Sequence, residues 1–248
     1  MNLLASRRLA ALWLVAGSAG FGLFGPMPFG AAAADERAGV VVELYTSQGC
    51  SSCPAADQFL AELAKRDDIV PLAFHVDYWD HLGWKDPYAR PENAKRQRAY
   101  VAALGARFVY TPQMVVDGRF EAVGSKKGKI ETLIARAVEA RAAAPAIALR
   151  DRDVAIAAGA PPAAPTAVFA IYFARTRAND VPSGENSGRR MATTNVVRGV
   201  VRLGPWEGKP FAATLDPAAQ PGDADGVAIL VQTLGYGPVL GARLFDLK

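Results

Sequence analysis

The chain has 248 residues, 51% of them apolar, and a formal charge of +4 from 28 basic and 24 acidic side chains. That length fills one large domain or two small ones, each able to bury a core. No Lys/Arg cluster interleaved with aromatic residues occurs, so the slightly basic balance does not point to nucleic acid.

The N-terminus reads as a targeting segment. Met1 to Ala10 carries Arg7 and Arg8 and no acid, Leu9 to Phe24 is largely apolar, and Ala31 to Ala34 precede Asp35. Basic region, apolar core and small-residue exit predict a secretory signal over residues 1–34, cleaved near Ala34. Gly17, Gly20, Gly22, Gly25 and Pro26 interrupt the run, whereas an uncleaved anchor needs roughly 20 apolar residues. Cleavage would remove two of the 28 basic residues and none of the 24 acidic ones, leaving +2. No second long apolar segment follows, so the mature chain is expected to be periplasmic or secreted, without stable membrane insertion.

Residues 38–144 alternate strand and helix patterns. Gly39 to Leu44 is a β-branched run suited to a buried strand. Ala55 to Arg66 places Phe59, Leu60 and Leu63 on one helical face. Ile69 to Asp77 reads as a second strand, and Glu92 to Leu104 as a helix of good formers stopped by Gly105. Gln113 to Asp117 and Arg119 to Val123 are short strands joined through Asp117-Gly118, a hairpin signal. Lys127 to Ala143 closes the set with an apolar stripe of Ile130, Leu133, Ile134, Ala137 and Val138. The order βαβαββα predicts an α/β domain with a mixed sheet, its two crossovers giving parallel strands and its hairpin antiparallel ones.

After Ala144 the texture changes. Seven β-like runs (147–149, 154–157, 166–173, 195–203, 211–215, 227–234 and 239–247) are separated by Gly, Pro and Asn turns. They predict an all-β sandwich-like second domain over residues 146–248, bounded near Pro145.

Only two cysteines occur, in Gly49-Cys50-Ser51-Ser52-Cys53-Pro54. A bridge across two residues constrains the unfolded chain very little, so its expected role is chemical rather than structural. A strand turning into Cys-x-x-Cys at a helix start puts the first thiol among unpaired backbone N–H groups, which stabilise a thiolate. Cys50 is therefore the expected nucleophile and Cys53 the resolving thiol, with Pro54 in a first turn where a missing N–H costs least.

Tyr110-Thr111-Pro112 falls just before the third strand. With the cysteine motif, it makes residues 40–140 resemble the thioredoxin superfamily, and Val41 to Cys50 looks closer to glutaredoxin than to thioredoxin. Together with His75-Val76-Asp77-Tyr78-Trp79 and Gly184 to Arg189, the whole mature chain resembles the secreted bacterial DUF1223 family. The resemblance implies a thioredoxin-like fold and a cis bond at Pro112, its loop packed on the cysteine pair, with Thr111 and Pro112 binding substrate. A trans proline that merely starts a strand is the alternative. The chain departs from thioredoxins at Leu44, where they carry a buried Asp. Glu43 is one residue away and, by strand alternation, faces the other side.

His75, Asp77, Tyr78, Trp79, Asp80, His81, Trp84, Asp86 and Tyr88 gather at the C-terminal end of the second strand. Glu43, His75, Asp77 and Trp79 are the candidate supporting residues, and packing over the sheet is the plainer role for the aromatics. Cys50, Cys53 and one of His75 or His81 would suit Cu(I) or Zn²⁺, so a copper-handling protein is the rival reading. A non-catalytic binding module with a permanently oxidised pair is the other. No metal or cofactor is assigned. The Asp117-Gly118 and Val123-Gly124-Ser125 turns could hold glutathione, although turn chemistry alone explains them. Glu185 and Arg189 are expected to form an ion pair or turn. The expected function is an exported thiol–disulfide oxidoreductase acting on protein or small-molecule thiols and disulfides. The second half is open to partner recognition or homodimer formation.

Overall fold

β1 (Val40–Thr46) and β2 (Ile69–His75) are buried along their whole lengths, as continuous apolar runs with helices on their faces should be. They pair in parallel, from Val40 beside Ile69 to Thr46 beside His75. Alternation sends Val40, Val42 and Leu44 to one face and Val41 and Tyr45 to the other. α1 (Pro54–Leu63) and α3 (Lys127–Ala140) cover the first face through Phe59, Leu60, Ile130 and Ile134. α2 (Pro91–Ala103) covers the second through Ala94 and Tyr100. The computed structural model describes residues 39–141 and 143–247, so the expected signal segment lies outside the described residues.

β3 (Gln113–Val116) and β4 (Phe120–Val123) form the expected hairpin, with Asp117 and Gly118 at φ 56° and 61° in its turn. A Cβ on Gly118 would stand 2.3 Å from the Gly237 carbonyl oxygen, so glycine is required there for space as well as torsion. One expectation is corrected: the second crossover does not give a parallel strand. Segment 104–112, after α2, carries the chain back to the end of β1 beside the cysteines. β3 starts there, Gln113 opposite Tyr45, and runs antiparallel to β1.

The seven β-like runs form seven strands: β5 (Ile147–Arg150), β6 (Asp153–Ile156), β7 (Thr166–Val181), β8 (Arg189–Pro205), β9 (Phe211–Thr214), β10 (Gly226–Thr233) and β11 (Val239–Asp246). Their arrangement corrects the expectation of a separate sandwich. Four of them extend the first sheet, giving eight strands in the order β11-β10-β7-β8-β2-β1-β3-β4, and β5-β6-β9 make a separate antiparallel sheet. Without β8, β2 would be an edge strand with apolar side chains on both faces, an aggregation-prone arrangement. β8 meets β2 in parallel at Ala73 and Val196. Just before it, Asn195 takes a left-handed φ of 49° and donates its amide to the Pro71 carbonyl at 2.9 Å. Sheet hydrogen bonding thus crosses the boundary expected near Pro145.

The small sheet packs against the far wing of the large one. Ile147, Val154 and Ile156 share a core with Val168, Ala170 and Tyr172 of β7 and Val227, Ile229 and Val231 of β10. β7 and β8 also run much further than expected. Beyond Ala174 they continue as a polar two-stranded arm, paired to Val181 opposite Arg189. The arm's tip, segment 182–188, reaches the Cys-x-x-Cys turn.

Candidate functional site

The chain leaves β1 through a tight turn. Cys50 N donates to Ser47 O at 3.1 Å, and Ser47 Oγ accepts from Gly49 N. A Cβ on Gly49 would lie 3.0 Å from Trp79 Cβ and 3.4 Å from its carbonyl oxygen, so glycine lets the turn pack closely against Trp79. Pro54 occupies the first turn of α1 and Cys53 is its N-cap. Cys50 and Cys53 form a disulfide at the head of the helix, and both are buried, at 1% and 0% exposure.

The Thr111–Pro112 peptide is cis and lies against the pair. Trp79 Nε1 donates to Thr111 Oγ1 at 2.8 Å, and that hydroxyl donates to Cys50 Sγ at 3.2 Å. Ser52 Oγ is 3.3 Å from Cys50 Sγ. Cys50, Cys53, Thr111, Pro112 and Trp79 are therefore brought together. A donor aimed at Cys50 Sγ and the amino end of α1 both favour negative charge on that sulfur once it is reduced.

Glu43 is elsewhere. It sits on the sheet face opposite α1, its carboxylate gripped by Arg96 Nε and Nη2 at 2.7 Å each and by the hydroxyls of Tyr45 and Tyr100 at 2.8 and 2.7 Å. Gln232 of β10 joins through the Tyr100 hydroxyl at 2.8 Å. Asp77 lies past the end of β2, two residues beyond His75, and not on the strand as expected. Its carbonyl accepts from Asp80 N.

His75 is buried behind the cysteine turn. Its Nδ1 meets Asp86 Oδ2 at 2.6 Å and its Nε2 meets Thr193 Oγ1 of β8 at 3.0 Å. Both ring nitrogens are engaged, which removes His75 as a metal ligand, and His81 is exposed on a short 3-10 turn (Asp80–Leu82). Among the described residues no three His, Cys, Asp or Glu side chains converge as a metal site. Burial alone would lower the His75 pKa, but the Asp86 charge and hydrogen bond outweigh it and raise it. Burial would raise the Asp86 carboxyl, and His75 in turn holds it low. Asp86 Oδ2 also accepts from Gln48 N at 2.8 Å, tying this pair to the cysteine turn.

Sequence reasoning missed the arm. Asn186 Nδ2 donates to the carbonyls of Gln48 and Cys50 at 2.9 and 3.0 Å, and the Glu185 carboxylate accepts from Ser51 N at 3.0 Å. The Ser51 backbone and side-chain donors draw the Glu185 pKa below its usual range. Gln48 ties the arm further, its Nε2 donating to Asn179 Oδ1 at 2.7 Å and its Oε1 accepting from Trp84 Nε1. Arg189 hydrogen-bonds Asn186 Oδ1 at 3.2 Å, in place of the expected partner Glu185.

Asp57 was missed as well. It lies buried in α1, four residues after Cys53 and three before Leu60, and that spacing beside an apolar stripe was the available signal. The glycines of the turns expected to hold glutathione have packing reasons: a Cβ on Gly124 would stand 3.1 Å from Ala56 Cβ. Asp117 is engaged by Arg141 and by Val41 N.

An α/β chain with one large mixed sheet and a buried Cys-x-x-Cys disulfide turn, capped by an arm from its own second half, defines the class. The chain belongs to the family described as protein of unknown function (DUF1223), whose model matches residues 41–232. It is similar to a protein of Agrobacterium tumefaciens solved by X-ray crystallography, with 34% identity, 86% of this chain and 96% of that one covered, and a TM-score of 0.74. HBP35 of Porphyromonas gingivalis shares the fold at 14% identity, covering 85% of this chain and 76% of that one, with a TM-score of 0.59. No curated protein matches. Among the described residues no helix is long and apolar enough to cross a membrane.

Proposed function

We propose that this chain is an exported thiol–disulfide oxidoreductase built on a thioredoxin-like core. The observation that carries the reading is the disulfide at the head of α1 with the Thr111 hydroxyl 3.2 Å from Cys50 Sγ and the cis Thr111–Pro112 peptide beside it. The element order βαβαββα and the strand order β2-β1-β3-β4 support the thioredoxin-like core. The basic, apolar and small-residue sequence of residues 1–34 supports export to the periplasm or beyond.

In the reducing direction, the Cys50 thiolate attacks a substrate disulfide R–S–S–R′. A Cys50–S–S–R bond forms, and R′S⁻ leaves and takes a proton. Cys53 then attacks Cys50 Sγ, closing the Cys50–Cys53 bond and releasing RS⁻. Two electrons pass from the protein dithiol to the substrate. Run backwards, the same steps oxidise a substrate dithiol.

The test is a redox titration read by thiol alkylation. The reading expects Cys50 and Cys53 to exchange reversibly with a glutathione or dithiothreitol buffer, and Cys50→Ser to abolish exchange. A pair that stays oxidised in both buffers returns the chain to the non-catalytic module. Stoichiometric Cu(I) on the reduced protein, lost in Cys50→Ser and without exchange activity, selects the copper reading.

A further inference from the structure

The buried ionisable groups behind the disulfide are unevenly partnered. His75 and Asp86 satisfy each other, and Glu43 is held by Arg96 on the far face of the sheet. Asp57 is different. Its Oδ1 is buried with no well-aligned hydrogen bond, and the Thr46 hydroxyl at the end of β1, itself without a well-aligned partner, is the side-chain donor that acts on the carboxyl. A buried carboxyl with so poorly satisfied an oxygen is costly in a structural position, and such groups gather where chemistry uses them.

Its position points to that chemistry. Cys53 has helical torsions, φ −77° and ψ −34°, and its carbonyl accepts from Asp57 N at 3.1 Å. Residues four apart on one helix face are neighbours, so the Asp57 carboxyl and the Cys53 sulfur share one side of α1, under the turn and away from solvent. Glu43 faces the opposite side. The charged groups that act on Asp57 are His75 of β2 and Asp86 of the following loop, with Arg198 of β8 acting on His75 in turn. Thr46 of β1 and Thr193 of β8 add uncharged hydroxyls.

We propose that Asp57 is the catalytic base that takes the proton from the Cys53 thiol when Cys53 resolves a mixed disulfide on Cys50. The assignment rests on the redox reading given above. As the Cys53 S–H proton moves to the Asp57 carboxylate, Cys53 Sγ bonds to Cys50 Sγ and the Cys50–S–R bond breaks. RS⁻ leaves with the electron pair, and Asp57 later returns its proton to solvent. In the reverse direction protonated Asp57 gives its proton to Cys53 as it departs. Burial pushes this carboxyl up to about 6, with the His75 charge opposing the rise, so both forms are populated near neutral pH.

The experiment uses the reduced full chain and 5,5′-dithiobis(2-nitrobenzoate). One nitrothiobenzoate is released as Cys50 is labelled and a second as Cys53 closes the disulfide, and both are followed by stopped-flow absorbance from pH 5 to 8. In the wild type the second phase accelerates with pH through an inflection near 6. In Asp57→Asn that inflection disappears and the second phase slows about 100-fold at pH 7, the lower end of general-base effects. The first phase is unchanged. Asp57→Ala serves in place of a poorly folding Asn variant and gives the same loss. A second phase with the wild-type rate and pH profile in either variant overturns the assignment of Asp57 alone. A wild-type chain that releases no nitrothiobenzoate overturns the redox reading together with it.

Discussion

Asn186 donates its side-chain amide to the carbonyl of Cys50 at 3.0 Å, although the two stand 136 positions apart in the chain. The same amide reaches the Gln48 carbonyl, so one side chain fixes both ends of the turn that presents the cysteines. The tip of the arm of β7 and β8 is anchored here. Its own strands are polar beyond Ala174 and bury little.

Removing that anchor exposes the disulfide. Asn186→Ala leaves two carbonyls without their donor, at a stability cost of about 1–2 kcal/mol. Reduction of the native disulfide by dithiothreitol is expected to accelerate several-fold. Quenched alkylation of the folded protein measures the rate, and an unchanged rate would show that the arm does not limit access.

Glu185 sets a charge beside the nucleophile through its hydrogen bond to Ser51 N. A carboxylate next to a developing thiolate opposes it, so Glu185→Gln is expected to lower the Cys50 pKa in the reduced protein by a few tenths of a pH unit. Glu185 is exposed, and the difference should shrink at high salt. Thiolate absorbance at 240 nm against pH, at two ionic strengths, measures both effects.

Asp57 links stability to pH in a definite direction. Its folded-state carboxyl is raised from 3.8 to about 6, so between these values the folded chain holds a proton that the unfolded chain has lost. Stability from this group is therefore greatest below about 4 and falls as pH rises through 6. The full difference amounts to about 3 kcal/mol. Asp57→Asn should gain on the wild type across that interval and keep the gain at pH 7. Urea unfolding of both proteins at pH 4, 5, 6 and 7 checks the sign, and a gain that shrinks with rising pH contradicts it.

Glu43 and Arg96 belong to stability rather than to exchange. Glu43→Ala strands a buried guanidinium held by two 2.7 Å bonds, and should cost about 3–5 kcal/mol. The nitrothiobenzoate kinetics of the folded variant should match the wild type. Chemical denaturation gives the first quantity and stopped flow the second. A variant of unchanged stability but altered kinetics would place Glu43 in the redox machinery.

The first half was largely legible because its signals are local. β1 and β2 are continuous apolar runs, α1 and α3 carry apolar stripes, and Asp117-Gly118 announces its own hairpin. Cys50 and Cys53 stand out for the same reason, at the junction of a strand and a helix, whereas Thr111 and Pro112 are singled out by the family resemblance. The second half was legible strand by strand but not in its pairing. Nothing in the sequence around Ala73 or Val196 states that they are neighbours, and that one residue pair is the whole register between β2 and β8. The arm from Arg175 to Thr194 lacks apolar alternation because much of it faces solvent, so its strand character comes from cross-strand hydrogen bonds alone. The Gly184 to Arg189 motif marks the tip of the arm, but the role of Asn186 is not readable there because its partners are backbone carbonyls, which leave no trace in side-chain patterns.

The distance in sequence between β2 and β8 also orders events in time. Asn195 caps Pro71 from 124 residues downstream, and the arm's tip is made about as long after the cysteines. Until the second half of the chain has docked, β2 is an open edge and the cysteines stand without Glu185 or Asn186 above them. The pair thus meets outside thiols most freely before the arm closes. Closure of the arm is a late event of maturation, and whatever oxidises Cys50 and Cys53 has its easiest access to them before it.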